Sequence, residues 1–331
     1  MTSLADTAVT RAKKRNDGTE RRFDPTPGKV RYSARWLGLG AVLSSLAGLG
    51  VLRRNPALLV ALGLLSALVA AYASRVEPRK PIFERRTLRF PQLPRELDGL
   101  RIALIGDMHL GHAFAAENTR WAVQQVLDAQ PDLIALSGDF VSYAANISEL
   151  PGLLNKLQAP LGVFAVPGNH DHWEGVDEIR SVLERPDFSF LLNSNRRVEW
   201  RGARFVVAGI DDVWHNDHDL DLALAGVSPG AFTILLAHAP DVADEAAQRG
   251  VDLQLSGHTH GGHIRLPGLG ALVLPRHGWR YSIGHIFVGE MQLYISRGIG
   301  GFPLRLGCPP EATLLTLRRN GSVERSALRV S

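Results

Sequence analysis

Five apolar runs in the chain each end in residue types able to ligate a metal ion, and this repetition restricts the fold more than any other feature. The run-ends are Gly106-Asp107-Met108-His109, Gly138-Asp139, Gly168-Asn169-His170-Asp171, Ala237-His238-Ala239-Pro240 and Gly257-His258-Thr259-His260-Gly261-Gly262. A short apolar run bounded by turn residues reads as a buried strand. Ligands of an open α/β sheet gather beyond the carboxyl ends of its strands. Such a chain must therefore bring several strand ends to one place. The flanking glycines allow a sharp turn and a close approach of backbone to ligand. In an extended segment, residues i and i+2 point the same way. Asp107 with His109, and His258 with His260, are thus expected to present two donors each to one site.

The stretches between these ends follow a βαβ rhythm. Strands are expected at 101–106, 132–137 and 162–166, with helices at 115–129, near 147–157 and near 176–183. Further strand runs at 204–210, 232–237, 252–255, 291–296 and 313–317 have few long helices between them, which implies a second sheet. No internal repeat or low-complexity tract interrupts the pattern.

The apolar residues are segregated towards the N-terminus. Residues 1–35 form a basic, polar tail, followed by uncharged runs at 36–52 and 57–74. Each run is close to the roughly 17–20 residues that a membrane-crossing helix needs. Arg53-Arg54-Asn55-Pro56 separates them. Residues 36–74 are therefore read as a transmembrane helical hairpin, 75–99 as a linker (extended from about 84, with Pro91 and Pro94 as punctuation), and 100–331 as the soluble domain that carries the five motifs. The long tail, the second apolar run and the lack of a small-residue cleavage site argue against a removed signal peptide. Nine Lys and Arg lie between Arg11 and Arg35, six between Arg75 and Arg89, and only Arg53 and Arg54 between the runs. Positive charge favours the cytoplasmic side. The expectation is a multi-pass cell-membrane protein with both ends, and the domain at 100–331, in the cytoplasm.

The net charge of +4 arises largely from this N-terminal part and no nucleic-acid motif accompanies it, so nucleic acid is not an expected partner. A single cysteine, Cys308, excludes a disulfide framework within the chain and reads as a small buried hydrophobe.

Imidazole and carboxylate donors suit Mn, Fe or Zn, and this set exceeds the needs of one ion. Two cations sharing Asp139 would use every donor. The motifs resemble those of the calcineurin-like metallophosphoesterase family, whose pattern is Asp-x-His, Gly-Asp, Gly-Asn-His-Asp/Glu, a lone His and Gly-His-x-His. The likeness covers about residues 100–318. It is greatest towards membrane-associated or exported bacterial members with a GHTHGG motif; His263 stands here where Gln is usual.

The resemblance implies a four-layer α/β-β-α sandwich and a binuclear centre with two divalent metal ions. By motif, Asp107, His109, Asp139 and His260 would hold one ion, and Asp139, Asn169, His238 and His258 the other. It further implies hydrolysis of a phosphate ester or pyrophosphate bond by a metal-bridging hydroxide. His170 would protonate the leaving oxygen or stabilise the transition state, with Asp171 orienting it. The substrate would be a phosphorylated small molecule or a lipid, such as a UDP-diacylglucosamine. A catalytically silent metal-binding membrane scaffold is the alternative, against which the complete donor set argues.

Beyond the core set, His263 is a candidate for the surroundings of the metals or for substrate contact, and Arg297 and Arg305 are candidates for phosphate contact. Asp211 and Asp212 are read as cap or turn residues. His112, His172, His215, His218, His277 and His285 are read as surface or core residues. The aromatic residues show no stacking motif.

Overall fold

In a computed structural model of the chain, residues 55–276 and 278–319 are described. The basic tail, the first apolar run and His277 lie outside the described residues.

The second apolar run forms helix α1, Pro56–Arg75, of 20 residues. Asn55 caps it by accepting from the Leu58 amide at 3.3 Å, and Pro56 sits in the first turn, where a missing amide costs nothing. At 1.5 Å per residue, α1 spans about 30 Å, the thickness of a bilayer's hydrocarbon core. Ala73 is its only buried residue. It is long and apolar enough to cross a membrane.

The linker expectation needs correction. Residues 82–90 form strand β1, Ile82–Phe90, which pairs in parallel with β14, Glu311–Arg319, from the other end of the domain. Its charges obscured it. Arg85, Arg86 and Arg89 are exposed, whereas Leu88 and Phe90 are buried, as suits an edge strand with one face on the core. Pro91 and Pro94 follow the strand rather than interrupting it.

Two six-stranded sheets face each other. The first has the order β1-β14-β2-β3-β4-β5, with β2 Arg101–Ile105, β3 Leu133–Leu136, β4 Val163–Ala165 and β5 Phe188–Phe190. The second has the order β12-β13-β9-β8-β7-β6, with β6 Ser194–Trp200, β7 Ala203–Gly209, β8 Thr233–Leu236, β9 Leu253–Ser256, β12 Gly284–Val288 and β13 Met291–Ile295. A small hairpin, β10 Arg265–Leu266 with β11 Gly270–Ala271, stands apart.

Strand alternation distributes the apolar residues over both faces. Ile102 and Leu104 of β2 meet Ile234, Leu236, Leu253 and Leu255 between the sheets. Ala103 and Ile105 face outward onto α2 Ala115–Ala129, α3 Leu150–Leu154 and α5 Val176–Leu183; a short helix α4, Asn169–Glu174, precedes α5. On the far side, Leu235, Leu293 and Ile295 pack on α6 Leu220–Ala223 and α7 Ala243–Gln248. The result is a mixed α/β sandwich with helices outside both sheets.

Candidate metal centre

The site lies where the two sheets meet at their strand ends. β2, β3 and β4 of the first sheet deliver Asp107, Asp139 and Asn169; β8 and β9 of the second deliver His238, and His258 with His260. The donors thus converge from two sheets, each supplying part of the set, rather than from the strand ends of one open sheet.

The expected extended geometry is also replaced. Asp107, His109, Asp139, His258 and His260 all have positive φ, between 49° and 70°. Residues with a Cβ rarely adopt this left-handed region, and such conformations gather at functional sites where surrounding structure holds them. The hold is visible here. The Asp107 amide donates to Gly138 O and the His109 amide to Asp139 O, each at 2.9 Å. The Asp107 carboxylate accepts from the His258 amide at 2.8 Å, joining the two sheets. A Cβ on Gly257 would strike the Asp107 carboxylate, so only glycine fits there. Gly301, at φ +89°, lies against the His260 ring, 2.5 Å from where its Cβ would stand.

Asp139 sits at the centre. Its Oδ2 lies 3.3 Å from His109 Nε2 and 3.2 Å from His238 Nε2. On one side, His109 Nε2 and His260 Nε2 are 3.1 Å apart, and His260 Nε2 is 3.6 Å from Asp107 Oδ1. On the other, His238 Nε2 and His258 Nδ1 are 3.2 Å apart. Three groups of donors lie close enough to hold a cation: Asp107, His109 and His260; His109, Asp139 and His170; and Asp139, His238 and His258. Asp107 Oδ2 and Asn169 Oδ1 are buried with no hydrogen-bond partner. Orphaned oxygens in a ring of converging imidazoles fit cations, because an unpaired buried acceptor costs about 1–3 kcal/mol. The outer contacts agree: His238 Nδ1 donates to Ser137 O at 2.7 Å, leaving Nε2 free to ligate. His109 Nδ1 is 3.0 Å from Ser142 Oγ.

Burial dominates the electrostatics. It pushes the Asp107 carboxyl up to about 7 and holds His109 and His260 well below the usual imidazole range. Burial also opposes the charged forms of Asp139 and His238. For Asp139, the nearby His238, His170 and His109 outweigh it and keep the carboxyl low. For His238, Asp139 outweighs it and lifts the imidazole to about 10. Bound cations shift all of these towards ionised acids and neutral imidazoles.

His170 belongs to the same cluster. Its amide donates to Asp139 Oδ1 at 2.9 Å; its ring stands edge-on to His109 at 4.6 Å and packs on Trp173 at 4.5 Å. Asp171 does not orient that ring. Its carboxylate accepts from the amides of Asp139, Phe140 and Gly168 at 2.8 Å and of Val141 at 3.4 Å, tying the second motif to the third. Burial and Asp139 push its carboxyl up to about 7 against these donors. Two oxygens that only accept require the ionised form.

Arg297 and Arg305 are committed within the fold rather than offered to a phosphate. Arg297 pairs with Glu311 and, at 2.8 Å, with Glu84. Arg305 is fully buried and donates to the carbonyls of His260, Arg297, Gly300 and Cys308, reaching His260 Nδ1 at 3.2 Å. His263 stacks on His260 with ring centres 4.6 Å apart, and burial lowers its imidazole to about 3.

An aromatic and charged wall escaped the sequence reading. Trp214 Nε1 donates to His258 Nε2 at 3.1 Å, and Trp173 meets Trp214 at 6.2 Å. Behind them, His172 pairs with Asp211 at 2.6 Å and His215 with Asp212 at 2.7 Å. The available signal was Asp211-Asp212-Val213-Trp214-His215 immediately after β7, at a strand's carboxyl end.

The calcineurin-like phosphoesterase family pattern matches residues 100–262. The chain is 33% identical over 255 residues to the metallophosphoesterase YkuE of Bacillus subtilis, covering 75% of this chain and 89% of that one. It is 31% identical over 223 residues to the phosphodiesterase YaeI of Escherichia coli, covering 66% and 82%. A transmembrane protein with metallophosphoesterase domain from Bos taurus is 32% identical over 252 residues, covering 69% of this chain and 55% of that one. Two sheets converging on a shared carboxylate, together with these likenesses, place the chain in the calcineurin-like phosphoesterase family. It is a metal-dependent phosphoric ester hydrolase.

Proposed function

We propose that the chain is a membrane-anchored phosphoesterase with a binuclear centre, acting on a phosphate ester or pyrophosphate bond. Asp107, His109, Asp139 and His260 would hold one divalent cation, and Asp139, Asn169, His238 and His258 the other. The observation that carries this reading is Asp139 Oδ2, within 3.3 Å of imidazoles on both sides, flanked by the orphaned oxygens of Asp107 and Asn169. When bound, two such cations supply Lewis acidity and a nucleophile at neutral pH.

The chain's own groups do the rest. Water oxygen gives up a proton to solvent and forms the new bond to phosphorus, the bond to the leaving oxygen breaks, and His170 delivers a proton to that oxygen and is reprotonated from solvent. His170 is suited to this because its main chain is fixed to Asp139 while its ring stands at the margin of the donor cluster. Asp171 is a positioning residue, holding the loops of Asp139 and His170 in register.

The anchor includes α1, paired in this reading with the run at 36–52 as a hairpin that leaves the catalytic domain cytoplasmic. A membrane-held site favours a lipid-linked substrate, of which a UDP-diacylglucosamine is one form.

The test uses full-length protein in detergent, loaded with Mn, Zn or Fe. Two cations per chain and turnover of bis-p-nitrophenyl phosphate are expected. Two bound cations without turnover of this or any ester in a panel of nucleotides, diesters and nucleotide-linked lipids would instead favour a silent scaffold.

A further inference from the structure

The metal centre is fastened directly to the end of α1. The Arg305 amide donates to Ala73 O at 2.8 Å, within the last turn of the helix. Just beyond, buried Glu77 accepts from the amides of Gly307 and Cys308 at 3.1 and 2.7 Å. Asn118 of α2 donates both to Pro78 O and to Ile299 O, at 2.8 and 3.1 Å. The loop held by these bonds is the one whose Gly301 lies against His260. No flexible tether separates helix from site, so the height of the site above a membrane is fixed by the fold.

This places one exposed apolar side chain, Phe302, near the helix end, and ties two further exposed side chains, Tyr143 and Leu269, to its surroundings. Phe302 is 61% exposed. Chain connectivity through Arg305 keeps it within about 14 Å of the Ala73 carbonyl. Its ring lies 6.4 Å from His112, which in turn lies 6.0 Å from both Tyr143 and the metal-site residue His109. Tyr143 is 54% exposed. Leu269, 74% exposed, tops the β10–β11 hairpin, which is tied to the same loop through Arg265 N and Leu306 O at 2.8 Å. Exposed Arg75, Arg79 and Lys80 surround the helix end. Aromatic and aliphatic side chains rimmed by cations beside an apolar helix match the chemistry of the headgroup boundary of an anionic bilayer.

We infer that Phe302, Tyr143 and Leu269 form a membrane-seated rim, so that the metal centre opens onto the bilayer surface and takes phosphate esters lying in the headgroup layer. The inference rests on the reading that α1 spans the bilayer.

It is tested on the full chain in nanodiscs of phosphatidylcholine and phosphatidylglycerol. Native Cys308 is buried, so a fluorophore on Phe302→Cys reports one position. Leu222→Cys, on the outer layer of the second sheet, is the control, and Leu269→Cys replaces the first variant if that one misfolds. Quenching of the rim label by lipids brominated on their acyl chains, and shielding from aqueous iodide relative to residue 222, is expected. Equal iodide quenching at rim and control, as a soluble or unoccupied face would give, overturns the proposal. In a second arm, Phe302→Ser lowers the kcat/KM ratio of hexadecyl p-nitrophenyl phosphate to bis-p-nitrophenyl phosphate about tenfold, the effect of losing one buried aromatic. An unchanged ratio counts against the rim. Absence of wild-type turnover on both esters defeats the phosphoesterase reading while leaving the labelling result to decide the rim.

Discussion

His170 and Asp171 are neighbours with separate duties. The His170 ring faces the donor cluster, whereas the Asp171 carboxylate faces four amides. His170→Ala should therefore keep both cations, as measured by elemental analysis, while turnover falls by about 10²–10⁴. The loss should be smaller for a p-nitrophenyl ester, whose leaving oxygen needs less protonation. Asp171→Ala should lower thermal stability as well as turnover, because it strands buried amides at about 1–3 kcal/mol each. A titration at Asp252 gives a pH prediction away from the metals. Burial raises its carboxyl to about 6, partly offset by the Thr233 amide that donates to it at 2.7 Å. A folded-state pKa above the unfolded 3.8 means its contribution is full below about pH 4 and lost as pH rises through 6. Asp252→Asn keeps the acceptor and removes the charge. Urea midpoints at pH 4 and pH 7.5 should differ less in this variant than in the wild type.

At the level of elements, β1 and the short turn before it matter most. β1 covers β14, which would otherwise be the edge of the sheet, and Glu77 satisfies two amides of the loop over His260. A fragment beginning at residue 90 loses both. It should melt lower and bind the cations less tightly than a fragment beginning at residue 76, as differential scanning calorimetry and metal titration would read. Glu77→Ala in the full chain should cost about 1–3 kcal/mol for each amide left unpaired. Equal melting of the two fragments would show that β1 is dispensable. The strand was hard to see in the sequence because Glu84-Arg85-Arg86 resembles a solvated linker. A charged edge and a linker have the same composition, and only the partner strand distinguishes them.

At the level of the whole molecule, α1 and the sandwich form one unit rather than a domain on a tether. If the catalytic domain is cytoplasmic, a cysteine at exposed position 222 should resist a membrane-impermeant maleimide in intact cells and react after lysis. Labelling before lysis would place the domain on the opposite side and leave only one run spanning. Removal of the cations with a chelator should lower the melting temperature by an amount that grows with the logarithm of their affinity, since the ligands contribute from both sheets.

The sequence alone determined the strand ends, because Gly-Asp, Gly-Asn-His and Gly-His-x-His are local signals whose chemistry depends on residue type. It determined helix 115–129 and most of the buried strands through apolar runs that only burial explains. The tertiary structure decided what depends on partners distant in the chain. It split the donors between two sheets, set five of them in left-handed backbone, turned Asp171 from the His170 ring to the loop amides, and committed Arg297 and Arg305 to the fold. It also brought Trp214 to His258 and Ala73 to Arg305. A sequence records which groups can bind or donate, but which of them meet is set by packing, and packing here joins residues more than two hundred positions apart.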